Sequence, residues 1–572
     1  MDAFLFSLSS LVLVFAPQAT RRAPPVVTQT VAADVGQDAA SDGGRVLFLQ
    51  RETSVDLNGD GDLLDEVLAL HDMASGVTLN LGLALIPFSS SPRLQAGAGR
   101  GLAHVSETAQ GGTDLNGDGD VLDAVFFGID LATGTVSSSG LASRAASGLS
   151  SLSTGMPVLD GVYTVIYADE LRQGQDLDGN GFVAGSVPHA WGSFAAPPQA
   201  LGLTGRISGF HQSFLLCTVG EQVGSVDRNG DGDTLDQVLY LVDLASSNSV
   251  TNLALAMGSF EPVHARGDHA AFLVWEAAQG SDLNLDGDAL DHVPFVLESA
   301  TGTLHNLGLA ASQPSIDSHG GQAFLSRSAL VLSEDLLAIT VRESDQGGLD
   351  RNGDGDASDW VLAVHDLDTG STQNVGLAAA AFDAGAGFVA FSVREADQGQ
   401  DLGGSPALSD YVLHLWRPGS VLNLGFPLQV MSHMNRITVG GPWIAVLGEE
   451  AGTDRNGDGD STDPTLILVH GPTGSSTYAG SSAYHYAVLF SPGGHLTFTT
   501  HESNEGRDLD GDGMLQSFVH LYLELSGARV MNSGELLPGS SFLRGTGRLH
   551  PLITRQSSLS GPYSLVVARL RF

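Results

Sequence analysis

Apolar and polar positions alternate over short runs along most of this chain, and glycine-rich polar stretches break the runs. Residues 387–395 show the pattern and predict a strand. A Gln/Gly segment follows. Tyr411 to Trp416 predicts the next strand, Pro418-Gly419 a turn, and Val421 to Gly425 a third strand. A fourth fits between Gln429 and Val439, ahead of the pair Gly440-Gly441. Elsewhere the turn reads Asp-Leu-Ala-Thr-Gly (130–134) or Asp-Leu-Asp-Thr-Gly (366–370). Asp and Gly both suit a tight reversal, the first by bonding backbone amides and the second by accepting a positive φ.

An acidic loop separates the first two of these predicted strands in unit after unit. The first loop is Asp56-Leu57-Asn58-Gly59-Asp60-Gly61-Asp62-Leu63-Leu64-Asp65. Nine such loops open at residues 56, 114, 176, 227, 282, 350, 401, 454 and 508, so the spacing runs from 51 to 68 residues. Self-similarity at that period indicates a propeller, a solenoid or an array. Four short strands per unit predict an all-β chain: a β-propeller of nine to ten four-stranded units with calcium-binding loops. Val26 to Val31, Phe542 to Thr554 and Tyr563 to Phe572 would supply the tenth, loop-free unit and join the termini. Two smaller propellers, divided within the long interval at 312–337, are the main alternative, and a β-solenoid is the third.

Oxygen-bearing side chains at loop positions 1, 3, 5 and 7, with Gly at 6, match the first half of an EF-hand calcium loop. Six loops carry the full set together with Asp at position 10. They are Asp56, Asn58, Asp60, Asp62 and Asp65; Asp114, Asn116, Asp118, Asp120 and Asp123; Asp227, Asn229, Asp231, Asp233 and Asp236. The others are Asp282, Asn284, Asp286, Asp288 and Asp291; Asp350, Asn352, Asp354, Asp356 and Asp359; Asp454, Asn456, Asp458, Asp460 and Asp463. Two loops are abridged, keeping Asp176, Asp178 and Asn180, or Asp508, Asp510 and Asp512. The copy at Asp401 has decayed to Gly403, Ser405 and Ala407 and is expected to hold no metal.

The closing Glu of an EF-hand, at position 12, is missing. Two groups can replace it: the Asp at position 10, or a Glu that precedes every loop. That Glu is Glu52, Glu107, Glu170, Glu221, Glu276, Glu343, Glu395, Glu450 and Glu502. It can serve as a ligand or cap backbone amides. A donor set made of oxygens favours calcium over zinc, and its carboxylate richness favours calcium over magnesium. The expectation is six to eight Ca2+ ions.

The units resemble those of TolB-type propellers in their strand, Asp-x-x-Thr-Gly turn and strand, and the loops resemble those of integrin-type propellers and dockerin modules. The resemblance covers roughly residues 26–572. It implies a fold and metal binding, and no reaction.

Charge sharpens this picture. The formal net charge is −40, and the loops with their upstream Glu hold 40 of the 65 acids. The excess charge therefore sits where cations can neutralise it. All 25 basic residues are Arg, which excludes chemistry that needs a lysine. A pI near 4.4 without a basic patch argues against nucleic acid. The single Cys217 lies in an apolar run and is expected to be a buried thiol. Residues 1–25 read as a secretory signal and linker, with an apolar core from Phe4 to Phe15 and Ala16-Pro17-Gln18-Ala19 at its end. No other stretch suggests a membrane span. No nucleophile elbow, His-Glu-x-x-His or phosphate loop occurs. The expectation is thus a secreted protein, extracellular or periplasmic, monomeric and not an enzyme. It would act as a binding or structural module for a protein or glycan. The alternative is a propeller-fold hydrolase or lyase with its site in a central channel.

Overall fold

In a computed structural model the chain forms an all-β propeller of stacked antiparallel sheets. The described residues are 27–86, 93–143, 158–160, 163–258, 263–313, 315–318, 321–324, 328–404, 408–428, 437–450, 452–491, 494–509, 511, 513–525, 529–536, 549–555 and 563–569. The proposed signal segment at 1–25 lies outside them.

Each acidic loop joins two paired strands. The first repeat pairs Arg45–Arg51 with Glu66–Asp72 in register from Arg45↔Asp72 to Arg51↔Glu66. The repeat at 387 pairs Phe388–Arg394 with Tyr411–Arg417, and Tyr411–Arg417 with Ser420–Leu428, as its pattern predicts. The first-repeat strand Glu66–Asp72 is buried at five consecutive positions, whereas the next strand, Thr78–Ala84, is exposed at its first three. Burial on both faces means that each sheet packs against a neighbour on either side. One apolar cluster accordingly joins Leu47, Leu49, Leu68 and Leu70 of the first repeat to Ala103, Val105, Val125 and Phe127 of the second. Each buried Leu or Phe contributes roughly 1.5–3 kcal/mol. Cys217 is fully buried in a similar cluster, and burial pushes its thiol up to about 12.

The expected ring of nine to ten separate four-stranded blades does not form. Among the described residues the strands join into eight sheets of six, four, four, eight, two, four, eight and four strands in chain order. Three causes account for the departures. Val27–Asp42 is 16 residues long and pairs with Arg45–Arg51 through one half and Tyr563–Arg569 through the other. Leu549–Arg555 then pairs with Tyr563–Arg569, so the three terminal stretches do join, but among the described residues they enlarge the first sheet to six strands and form no separate tenth unit. Single pairs, Met257↔Val274 and Leu428↔Gly448, fuse neighbouring sheets into the two eight-stranded ones. In the long interval, Ser315–Ser318 and Gly321–Phe324 make a two-stranded hairpin, and one apolar cluster joins Leu273 and Leu309 before it to Leu330 and Ile339 after it.

The Asp-x-x-Thr-Gly turns form as read. Asp130 Oδ1 accepts the amides of Ala132 and Thr133, each at 2.9 Å, and Gly134 has φ 73°. The amide bond from Thr133 is the main cause that lowers the Asp130 carboxyl below its usual range. Among the described residues, no helix is long and apolar enough to cross a membrane.

Candidate metal loops

Every loop is held by its upstream Glu. In the repeat at 282, Glu276 Oε1 accepts the Asn284 amide at 3.2 Å and the Leu283 amide at 2.5 Å, while Oε2 accepts the Asp291 amide at 3.0 Å. The Glu276 amide in turn donates to the Asp291 carbonyl. The same cradle recurs at Glu107, Glu221, Glu343 and Glu502. These Glu are fully buried, with Glu52 at 6% the most exposed of the nine. Glu395 keeps the cradle with Leu402, Gly403 and Asp410, although its loop has lost most of its carboxylates. Holding the backbone is therefore a role of this Glu that stands apart from any ion.

Within the loops, odd-numbered side chains fold the backbone. Asp56 accepts Gly59 and Gly61 amides, Asn58 Oδ1 accepts from Asp60, Asp60 from Asp62, and Asp62 from Leu64. Gly at position 6 sits at φ 90–112° in the loops at 56, 114, 176, 227, 282, 350 and 454, a region closed to most other residues. Leu285 occupies position 4 of its loop at φ 63°, where the other full loops have Gly.

Carboxylate oxygens then converge. Groups lying within 4.8 Å of one another are Glu52, Asp62 and Asp65; Glu107, Asp120 and Asp123; and Glu276, Asp288 and Asp291. Glu221 meets Asp231, Asp233 and Asp236, and Glu170 meets Asp176 and Asp178. The upstream Glu and positions 7 and 10 thus converge in four full loops, with positions 1 and 3 in the abridged one. In the loops at 350 and 454, position 10 still sits at the cradle, with Asp359 and Asp463 donating their amides to Glu343 and Glu450. Asn180 donates to Asp178. Asp508 accepts Gly511 and Gly513 amides, while Asp510 and Asp512 lie outside the described residues, as do Ser405 and Ala407.

The donor chemistry fits a hard cation. The five named clusters contain only Glu and Asp. Burial, with loop carboxylates beside it, pushes Asp65 and Asp236 up to about 6 and Asp291 and Asp359 to about 7. Asp123 is also raised by burial, against a 3.0 Å bond from Arg172. In the abridged loop, a Glu170 carboxylate oxygen lies within 4.8 Å of Asp176 and Asp178, and Glu170 Oε2, against Gly185, is buried without a hydrogen-bond partner. Position 10 there is Gly185, and its amide does not fill that role.

A further set of residues, which the sequence reading passed over, ties six of the loops to the next repeat. Gln110 Oε1 accepts the Ala84 amide and its Nε2 donates to the Gly82 carbonyl, both in the preceding repeat. Gln173, Gln279, Gln346 and Gln398 make equivalent bonds to Ala142, Ala256, Ala310 and Ala378. Glu505 does so with Ser482. In the other direction Asn58, Asn229, Asn352 and Asn456 donate from loop position 3 to carbonyls of Ala109, Ala278, Asp397 and Asn504. A left-handed Gly completes the contact: a Cβ on Gly111 would meet Asp60 Cβ at 3.0 Å, and one on Gly506 would meet Asp458 Cβ at 3.1 Å. The legible signal was Glu-x-x-Gln-Gly, repeated ahead of the loops at 114, 176, 282, 350 and 401.

No protein-family model matches the chain, and no curated protein matches it. Among solved structures it has a weak likeness to β-propellers. The propeller domain of the Trilobed protease from Pyrococcus furiosus is 9% identical, with 78% of this chain and 97% of that one covered at a TM-score of 0.27. TolB from Acinetobacter baumannii is 13% identical, with 58% and 65% covered at 0.23. An oligogalacturonate lyase in complex with manganese is 12% identical, with 63% and 86% covered at 0.28. Puromycin hydrolase and an acylaminoacyl peptidase are similar at the same level. The expectation that the chain is not an enzyme is corrected here. The solved structures it is weakly like include a lyase and an acylaminoacyl peptidase, which is the finding that stands against that expectation. Likeness this remote transfers no residue and no reaction.

Proposed function

We propose that the acidic loops bind calcium and that the protein is a secreted, calcium-stabilised propeller presenting an acidic, metal-stiffened face to a protein or glycan partner. The observation that carries this reading is the repeated convergence of a buried Glu with loop carboxylates within 4.8 Å, in clusters made of oxygen donors alone. The partnerless Glu170 Oε2 supports it, because a buried carboxylate oxygen without a donor is costly unless a cation answers it. In the six full loops, the upstream Glu and the residues at positions 7 and 10 would hold the ion, with positions 1, 3 and 5 shaping the loop and offering their remaining oxygens. Each ion would tie the end of one strand to the start of the next. A net charge of −40 leaves the loaded face acidic, which suits a basic partner whose affinity falls with salt.

The test is metal content and stability together. Dialysis against calcium followed by elemental analysis should return six to eight ions per chain, and chelator should lower the melting temperature by many degrees. One ion or none, with an unchanged melting curve, refutes the reading. The second reading is a hydrolase or lyase acting in a central channel. No residue of this chain is assigned to it, and turnover of peptide or uronide substrates is its direct test.

A further inference from the structure

The inter-repeat contacts are not continuous around the chain. Where a loop carries Asn at position 3, the following repeat carries Gln or Glu three residues after its upstream Glu. The pairs are Asn58 with Gln110, Asn116 with Gln173, Asn229 with Gln279, Asn284 with Gln346, Asn352 with Gln398 and Asn456 with Glu505. In all six, the structure shows the downstream side chain bonded to the preceding repeat.

Three junctions lack both halves. Asp178 is followed by Gly224, Gly403 by Thr453, and Asp510, across the closure, by Val55. A carboxylate cannot donate to the neighbour's carbonyl, glycine has no side chain to do so, and Gly, Thr and Val cannot reach back with an amide or carboxylate. Apolar packing still crosses two of these junctions, with Val165 and Leu215 in one buried cluster and Leu413 and Ile444 in another. Leu428 also pairs with Gly448 there. Only the link between loops stops. The three loops that end the linked runs are the two abridged ones and the decayed one.

We propose that the metal-holding loops titrate with calcium as three separately coupled groups: 56–114–176, 227–282–350 with the metal-free 401 loop at its end, and 454–508. This rests on the calcium reading above and adds how the sites regulate one another. The route is short. An ion in the Asp227 loop fixes Asn229, whose amide holds the Ala278 carbonyl at 2.8 Å in the turn Glu276–Gln279. That turn positions Glu276, which cradles the Asp282 loop. Gln279 returns the contact to Ala256 at 2.8 Å. Ordering one loop therefore removes part of the ordering cost of the next, which is positive coupling without any large movement. Across the junction between Gly403 and Thr453 no such bond carries it among the described residues.

The test uses the full chain, with calcium titrated while hydrogen exchange is read loop by loop. Asp282→Ala should abolish protection in its own loop and shift the calcium midpoints of the 227 and 350 loops upward by roughly fivefold, the worth of one net hydrogen bond. The 56, 114 and 454 loops should keep their midpoints. Asp282→Asn, which retains one acceptor oxygen, is the fallback if the alanine variant does not fold. Gln279→Ala should uncouple the 227 and 282 loops while both still gain protection. An effect confined to the 282 loop, or one that spreads equally to the 454 loop, overturns the grouping. Absence of calcium-induced protection in the unaltered protein overturns the calcium reading itself, which is a different outcome.

Discussion

Glu276→Gln and Glu395→Gln make a matched pair that separates the two roles of the upstream Glu. Both side chains are fully buried and accept three backbone amides, Leu283, Asn284 and Asp291 in one case and Leu402, Gly403 and Asp410 in the other. Gln keeps one acceptor oxygen and turns an NH2 group toward an amide N–H. A hydrogen bond to a charged group is worth about 1.5–3 kcal/mol, so each variant should lose about that much in chelator. The environments differ in one respect. Glu276 faces Asp288 and Asp291, whereas the Asp401 loop has Gly403 and Ala407 in place of ligands. Calcium at tenfold saturation of one site adds about 1.4 kcal/mol. Extracellular modules bind at ~10⁻⁴–10⁻³ M, so about 10 mM calcium suffices. The unaltered protein and Glu395→Gln should gain the same protection from calcium in the Asp282 loop, and Glu276→Gln should gain less, by up to that 1.4 kcal/mol. Native-state hydrogen exchange of the two loops, with and without calcium, reads all four states. Equal calcium gains in both variants would falsify a ligand role for Glu276 and leave it a backbone clamp.

Other expectations follow from the loops. In chelator, Asp65, Asp236, Asp291 and Asp359 hold protons in the fold between the unfolded value of 3.8 and their raised values of about 6 to 7. Stability of the metal-free protein should therefore fall as pH rises through that window, and urea midpoints should be higher at pH 5 than at pH 7.5; a rise toward pH 7.5 contradicts it. Leu285→Gly relieves a left-handed Leu that is 84% exposed, and should raise stability by about 0.5–1 kcal/mol after the entropy that Gly adds to the unfolded chain. A lower midpoint in thermal melts counts against it. Gly111→Ala combines φ 71° with a Cβ placed 3.0 Å from Asp60, and should cost about 1–2 kcal/mol and loosen the Asp56 loop in exchange experiments.

Much of the strand order was legible because its signals are local. Phe388–Arg394, Tyr411–Arg417 and Ser420–Leu428 lie where alternation and turn residues put them. The sheet count was not legible, because it turns on single long-range pairs. Nothing around Met257 or Val274 announces that they will pair, and the length of Val27–Asp42 becomes apparent only when both partner strands are in place. The alternation also understated burial. Five successive buried residues in Glu66–Asp72 reflect packing on both faces, which no single strand pattern encodes.

At the loops, composition named the participating residues and geometry redistributed their work. Reading from position 1 onward, the sequence makes Asp56, Asn58 and Asp60 the leading ligands, yet Asp56 spends both oxygens on Gly59 and Gly61 amides. The carboxylates that converge are Glu52, Asp62 and Asp65, two of which lie outside the EF-hand half-motif. The same redistribution gives a reason for Asn at position 3. Asp would bring more charge to a cation, but only an amide can turn its oxygen to the loop and its nitrogen to the next repeat, as Asn58 does with Asp60 and Ala109. Where neither Gln nor Glu answers from the next repeat, position 3 is Asp or Gly. The choice of residue at that one position therefore tracks a neighbour about 50 residues away, and Asn58→Asp should weaken the tie to Ala109 even while it adds a carboxylate to the loop. Exchange protection at Ala109 to Gly112 falling in that variant, with or without calcium, is the expected result; unchanged protection there would return Asn58 to a purely local role.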